Sequence, residues 1–183
     1  MRITTSGGRV LLEREGSLEG ADLSGLKLAG ARLAEESLIG SNLSESILTG
    51  ANLDDADLSK ADLSGAAMEG VCCDSARFDQ ANLRGGQLYW ASAFQASFCG
   101  ADLTGADLRG ANLQDADFTG ASLGWANLGR DNLQGSTDVR GADFSDADLS
   151  GTIWDGAEYN SQTRFPEGFD PKARGMIHRE ESD

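Results

Sequence analysis

The chain has 183 residues, 39% of them hydrophobic and 7% aromatic, with 24 Gly, 2 Pro and a formal charge of −15. This length suits one domain with a real core, and the excess of acids argues against a protein that grips DNA or RNA backbones directly. No apolar run approaches the roughly 20 residues of a membrane span, and the opening MRITTSGGRVLLEREG lacks the apolar stretch and flanks of a signal peptide, so a cytoplasmic protein away from membranes is expected.

Residues 1–17 are predicted to form an N-terminal cap: Ile3-Thr4-Thr5 and Arg9-Val10-Leu11-Leu12, separated by Ser6-Gly7-Gly8, read as a small hairpin. Residues 18–159 carry a repeat. Ala-Asp-Leu or Ala-Asn-Leu returns on a five-residue frame, as in Ala21-Asp22-Leu23, Ala61-Asp62-Leu63 and Ala111-Asn112-Leu113. With the Leu as centre, one unbroken frame from 18 to 133 holds 24 centres, 18 of them Leu, three Phe (Phe78, Phe98, Phe118), and Met68, Cys73 and Ala93. Two residues before each centre, 16 of 24 positions are Ala. After Leu133 the frame slips by one around Ser136–Gly141 and resumes at Phe144, Leu149, Trp154 and Tyr159, with Val139 as bridging centre.

A period of five drifts around a helix and breaks the alternation of a long strand. It fits a short extended triplet, small-polar-large, whose outer members face one way, followed by a two-residue turn in which Gly is frequent. One triplet buries too little by itself, so the repeats must wind and stack into a solenoid. Spacing twenty puts Phe78, Phe98 and Phe118 in one column, predicted to continue towards Val139 and Tyr159. On the next side Leu63 and Leu103 belong to a leucine column, and Leu108 to another. Before that column, outward residues alternate as Asp22, Asn42, Asp62, Asn82, Asp102, which limits repulsion between stacked charges. Glu36 and Asp131 stand where a small inward residue is expected; a local bulge, a salt bridge or a specialised contact surface would each account for them. Cys73 and Ala93 are consecutive on one side, a thin or pinched wall. Residues 160–183, with Phe165-Pro166 and Phe169-Asp170-Pro171, read as a C-terminal cap or tail that covers the last coil or pairs two chains.

The A(D/N)LXX pattern resembles the pentapeptide-repeat family. The resemblance implies an all-β fold, a right-handed quadrilateral parallel β-helix with four pentapeptides per coil, here about seven coils. It also implies a function. Well-understood members mimic DNA, bind bacterial type II topoisomerases (DNA gyrase, topoisomerase IV) and protect them from quinolones or natural-product poisons. Some act through loops inserted between coils, which this sequence does not show: only a one-residue slip interrupts the frame. Several dimerise through C-terminal ends, so a homodimer is a further implication.

Catalytic chemistry is not legible. His178 is the sole histidine and lies in the polar HREESD tail; no HExxH, P-loop, dinucleotide fingerprint or nucleophile elbow occurs. Cys72-Cys73 is not a CxxC, Cys99 is expected to face outward on another side, and reduced thiols are expected in a chain without a secretion signal. Neither zinc nor calcium finds a suitable ligand set. The expectation is a protein with no enzymatic activity, cofactor or metal.

Charge is the remaining clue. The repeat region holds 23 acids against 8 bases. Seven coils at ~4.8 Å extend roughly 35 Å, over which duplex DNA presents on the order of 20 negative charges. Asp22, Asp62, Asp102, Asp107, Asp117 and Asp143 are the candidate acidic interaction surface. Outward aromatics that the repeat does not require, Tyr89, Trp90 and Trp125, support a second reading, a protein-interaction or scaffold module.

Overall fold

The structure, a computed structural model, describes residues 2–13 and 16–180. The chain winds into a parallel β-helix with four sides. Each side is built from residues whose backbones pair about twenty positions apart, giving four ladders. The first face runs Asp22, Asn42, Asp62, Asn82, Asp102, Ser122, Asp148; the second runs Lys27, Ile47, Ala67, Gln87, Asp107, Asn127, Ile153. The third face runs from Arg32 through Asn112 to Asp138 and Glu158, and the fourth from Ser37 through Asp117 to Asp143 and Arg164. Every rung uses the same bonds, typified by Leu63 N donating to Asn82 O at 2.7 Å and Asp62 N to Ser41 O at 2.9 Å. A residue with one neighbour on each side thus satisfies its backbone without a long strand.

The five-residue period follows from how the corner is made. The fifth residue of most repeats takes a left-handed backbone, as at Gly65 (φ 65°), which glycine adopts without a Cβ penalty. The third residue then points into the lumen. Leu63, Phe78, Phe98, Leu103, Leu108 and Phe118 are fully buried, and the alanines two positions before each centre fill the space between. Most repeats thus send one large and one small side chain into the lumen.

On the fourth face the phenylalanines form a continuous stack: Phe78–Phe98 at 4.9 Å and Phe98–Phe118 at 4.7 Å between ring centroids, each pair within 3° of parallel. The expected extension towards Val139 and Tyr159 is wrong. Phe118 stacks on Phe144 at 4.9 Å, and Phe144 on Phe165 at 5.7 Å; Val139 instead carries on the third face.

The reason is the frame slip, which is not a one-residue adjustment. Asn112 pairs with Asp138 and Asp117 with Asp143, a step of 26 where all earlier rungs step by 20. Six residues, 131–136, leave the helix as a loop at the corner between the second and third faces. Leu133, counted in sequence as a core centre, is 74% exposed at its tip. Six extra residues are one pentapeptide plus one, so Leu133 falls in phase with the centres by coincidence.

Both ends are covered. β1 (Arg2–Thr4) and β2 (Val10–Glu13) form an antiparallel hairpin; Arg32 N donates to Thr4 O at 2.8 Å, and Ile3 is buried against the first coil. At the other end the winding runs past 159. Phe165 enters the aromatic stack, Phe169 stacks on it at 4.6 Å, and β4 (Ile177–His178) pairs in parallel with β3 (Glu158–Tyr159).

Within the lumen, Ser41 and Ser46 occupy the small inward position, and their buried hydroxyls have no hydrogen-bond partner. An unsatisfied buried hydroxyl costs about 1–3 kcal/mol. Ser46→Ala is expected to raise stability by ~1 kcal/mol and Phe98→Ala to lower it by ~3–5 kcal/mol, read as opposite shifts of the denaturant midpoint.

Candidate interaction surface

Outward Asp and Asn residues have a local task before any binding task. Oδ1 of each accepts the backbone N–H two residues later, as in Ser64 N to Asp62 at 3.0 Å, Thr104 N to Asp102 at 3.0 Å and Thr119 N to Asp117 at 2.8 Å. The side chain thereby closes the turn that follows it, the Asx-turn geometry. Asn82 also donates across the coils, Nδ2 to Oδ1 of Asp62 at 3.0 Å, so at that rung the Asp/Asn alternation is a hydrogen bond as well as a device against repulsion.

In several of these aspartates the bonds favour the ionised form. Hydrogen bonds from Ser24 and Ser150 hold Asp22 and Asp148 below the ordinary aspartate value. Burial pushes Asp102, Asp107, Asp117 and Asp143 upward, but their hydrogen bonds outweigh it, and all four end below the ordinary value. Arg84 assists at Asp102, Arg109 at Asp107 (2.6 Å) and Arg164 at Asp143 (3.1 Å). Asp143, next on the ladder, opposes the ionisation of Asp117.

The six candidate acids do not form one surface. Asp22, Asp62 and Asp102 share the first face with Asp148, Asp107 lies on the second, and Asp117 and Asp143 are consecutive on the fourth. With each face counted together with the corner after it, the first, third and fourth are acidic. The first carries Asp22, Glu45, Asp62, Asp102 and Asp148 against Arg84 alone. The second is balanced outside the loop, with Glu69, Asp107 and Asp155 against Lys27, Arg109 and Arg130.

The aromatics border that balanced face. Tyr89 and Trp90 pack on each other at 4.4 Å, and the Arg109 guanidinium lies 5.4 Å from the Tyr89 ring centre. Trp125, 74% exposed, sits on the opposite corner and lies across Gly151. Both tryptophans hold the left-handed backbone (φ 57° and 62°) that glycine takes at many other corners. A bulky side chain there is strained and marks a position worth explaining.

Asp131 escapes the lumen through a local excursion of the chain, the loop at 131–136, as a bulge at this position would allow. It is buried, but by the loop it organises rather than in the lumen. Its carboxylate accepts the N–H groups of Leu133 (2.7 Å) and Gly135 (2.6 Å) and the indole N–H of Trp90 (2.5 Å). The Trp90 bond first, then the two backbone donors, hold its pKa down. The buried Thr137 closes the loop's far end: its Oγ1 accepts from Gly110 N at 3.0 Å, and its single O–H points between the carbonyl oxygens of Gly129 (3.0 Å) and Leu108 (3.2 Å). Thr137 takes the inward small position that sequence assigned to Asp131. A carboxylate where alanine is the rule, followed by Asn132-Leu133-Gln134-Gly135, was the available signal for a loop. Glu36, the other exception, is half-buried on an early coil.

The cysteines differ in access. Burial pushes the Cys73 thiol up, and it donates to Ser92 O at 3.1 Å; Cys72 is exposed and Cys99 half-buried. Among the described residues no group of three or more His, Cys, Asp or Glu could hold a metal ion, and no helix is long and apolar enough to cross a membrane. His178 lies within 3.0 Å of Glu180 at the exposed C-terminal end.

A four-sided solenoid with turn-closing Asp and Asn residues along its flanks defines a class of repeat protein rather than a pocketed globule. The chain belongs to the pentapeptide-repeat family: the family model for pentapeptide repeats matches eight copies, over residues 37–72 and 94–135. HetL, a pentapeptide repeat protein involved in heterocyst differentiation regulation from the cyanobacterium Nostoc, is 30% identical over 88% of this chain and 80% of its own, with a TM-score of 0.54. Full-length QnrB1, a plasmid-mediated fluoroquinolone resistance protein, is 20% identical over 87% of this chain and 80% of its own, with a TM-score of 0.73. Among curated proteins nothing matches. The fold is thus the right-handed β-helix of this family.

Two outcomes are expected. Asp131→Ala should free the loop and speed tryptic cleavage after Arg130 about tenfold, while thermal unfolding of the rest stays cooperative. Because Asp22, Asp102, Asp107, Asp117, Asp143 and Asp148 are lowered relative to the unfolded chain, their stabilisation is complete above the ordinary aspartate range and is lost as pH falls below about 4; a pH series of urea midpoints should drop there.

Proposed function

We propose that the chain is a non-enzymatic, acidic binding protein of about seven coils that acts as a DNA mimic, occupying the DNA-binding groove of a bacterial type II topoisomerase such as DNA gyrase and protecting it from poisons. The observation that carries this reading is the ladder of carboxylates on the first, third and fourth faces. Turn hydrogen bonds hold several of them ionised, on a rod roughly 30–35 Å long at ~4.8 Å per coil. Its charge is of the same order as that of duplex DNA of equal length, and its ladders repeat along the rod as phosphates do along a groove. The likeness to QnrB1 supports the fold on which such charges are displayed, and a six-residue loop at 131–136 interrupts the coils. The protein acts in the cytoplasm, where such an enzyme works.

A second reading, a protein-interaction module, draws on exposed Trp125 and on the likeness to HetL, a regulatory protein. The two separate in one assay. Gyrase supercoiling is measured with and without a quinolone across a salt series. The DNA mimic rescues or inhibits at micromolar protein, weakens several-fold from about 50 to 200 mM salt, and loses its effect when Asp22, Asp62 and Asp102 become Lys. No effect at any salt, or an effect lost on Trp125→Ala but kept in the Lys variant, supports the interaction module instead.

A further inference from the structure

Seven large apolar side chains are exposed among the described residues, and their placement is uneven. Ile47 and Ile153 stand in the outward row of the second face, Trp90 and Trp125 on its two corners, and Leu133 in the loop at one corner. Only Val10 and Ile39 lie elsewhere. This is also the face whose charges balance. Its row reads Lys27, Ile47, Ala67, Gln87, Asp107, Asn127, Ile153, and the carboxylate of Asp107 is held by the guanidinium of Arg109. The rod is therefore amphipathic across its width, with three acidic sides and one neutral, partly apolar side.

We propose that this second face is a homodimer interface, taken by a second copy of the chain packed antiparallel. Charge selects the occupant. A cationic partner is drawn to the three acidic faces and gains nothing here, whereas another copy, itself at −15, is repelled everywhere except along this side. Register selects the direction. When a copy is turned end for end about the level midway between Gln87 and Asp107, equal rungs place Ile47 against Ile153 of the second copy, Ala67 against its Asn127 and Gln87 against its Asp107; the two-fold then repeats each pair. Both exposed isoleucines of the row are covered, no like charges face each other, and the acidic faces stay outward. A stripe ~30 Å long is at the small end of specific interfaces, so the association is weak. This goes beyond the topoisomerase reading and does not rest on it: it uses a different side and has the opposite response to salt.

The experiment is sedimentation of the full chain under reductant, from micromolar to about 0.5 mM, in low and high NaCl. A monomer–dimer equilibrium is expected that tightens severalfold with salt, because screening removes the repulsion between two strongly acidic rods. Ile47→Lys and Ile153→Lys, both at exposed positions, are each expected to weaken it at least about tenfold while circular dichroism and melting stay unchanged. A chain monomeric throughout that range, or a dimer that survives both substitutions, overturns the proposal. Loss of the dimer in Ile153→Lys with gyrase protection retained separates this interface from the acidic faces; protection absent in a chain that still dimerises refutes only the topoisomerase reading.

Discussion

One large apolar side chain every fifth residue, stacked on its counterpart one coil away, is the interaction on which this molecule depends. A single triplet buries one leucine and one alanine, too little to fix its own backbone. Stacked, the leucines and phenylalanines form closed columns with no exposed apolar face, each worth roughly 1.5–3 kcal/mol when fully buried. The backbone bonds between rungs then form in a dry, fixed geometry. Aspartate and asparagine beside each centre complete the turn, so the residues that face solvent also hold the corner.

That division of labour explains how so much charge is tolerated. The aspartates of the outward rows each accept a backbone N–H two residues on, and several also face an arginine. Asparagine and serine interrupt the rungs of the first face at Asn42, Asn82 and Ser122. Repulsion is spread along the rod while the lumen stays neutral. Because three sides are acidic and one is not, the surface is directional, with carboxylates on three flanks and a balanced stripe on the fourth.

The period, the inward and outward assignment and the four columns were legible in the sequence because they are local and repeated: Phe78, Phe98 and Phe118 announce themselves by spacing alone. What was not legible is where local rules stop deciding. Six inserted residues look like one pentapeptide and a slip, and Leu133 happens to keep the phase, so only the rung from Asn112 to Asp138 reveals the loop. The bond from Trp90 to Asp131 joins residues 41 positions apart, and no periodic argument connects them. The site was less legible than the fold for a related reason. The period of twenty already separates Asp107 from Asp117, ten residues on, but the pairing of Asp107 with the Arg109 guanidinium shows only in the folded chain.

The central claim is that the column-forming register carries the fold and that the loop is an addition to it. It is tested most directly by excising residues 131–136, joining Arg130 to Thr137, and following thermal unfolding by circular dichroism. The account predicts a folded chain with the same β-helix signal and a single cooperative transition within a few degrees of the parent, since the rungs from Asn112 to Asp138 and from Asp117 to Asp143 then step by 20 like the earlier ones. A collapsed or non-cooperative product would contradict it, because the inserted residues would then be part of what holds the coils together.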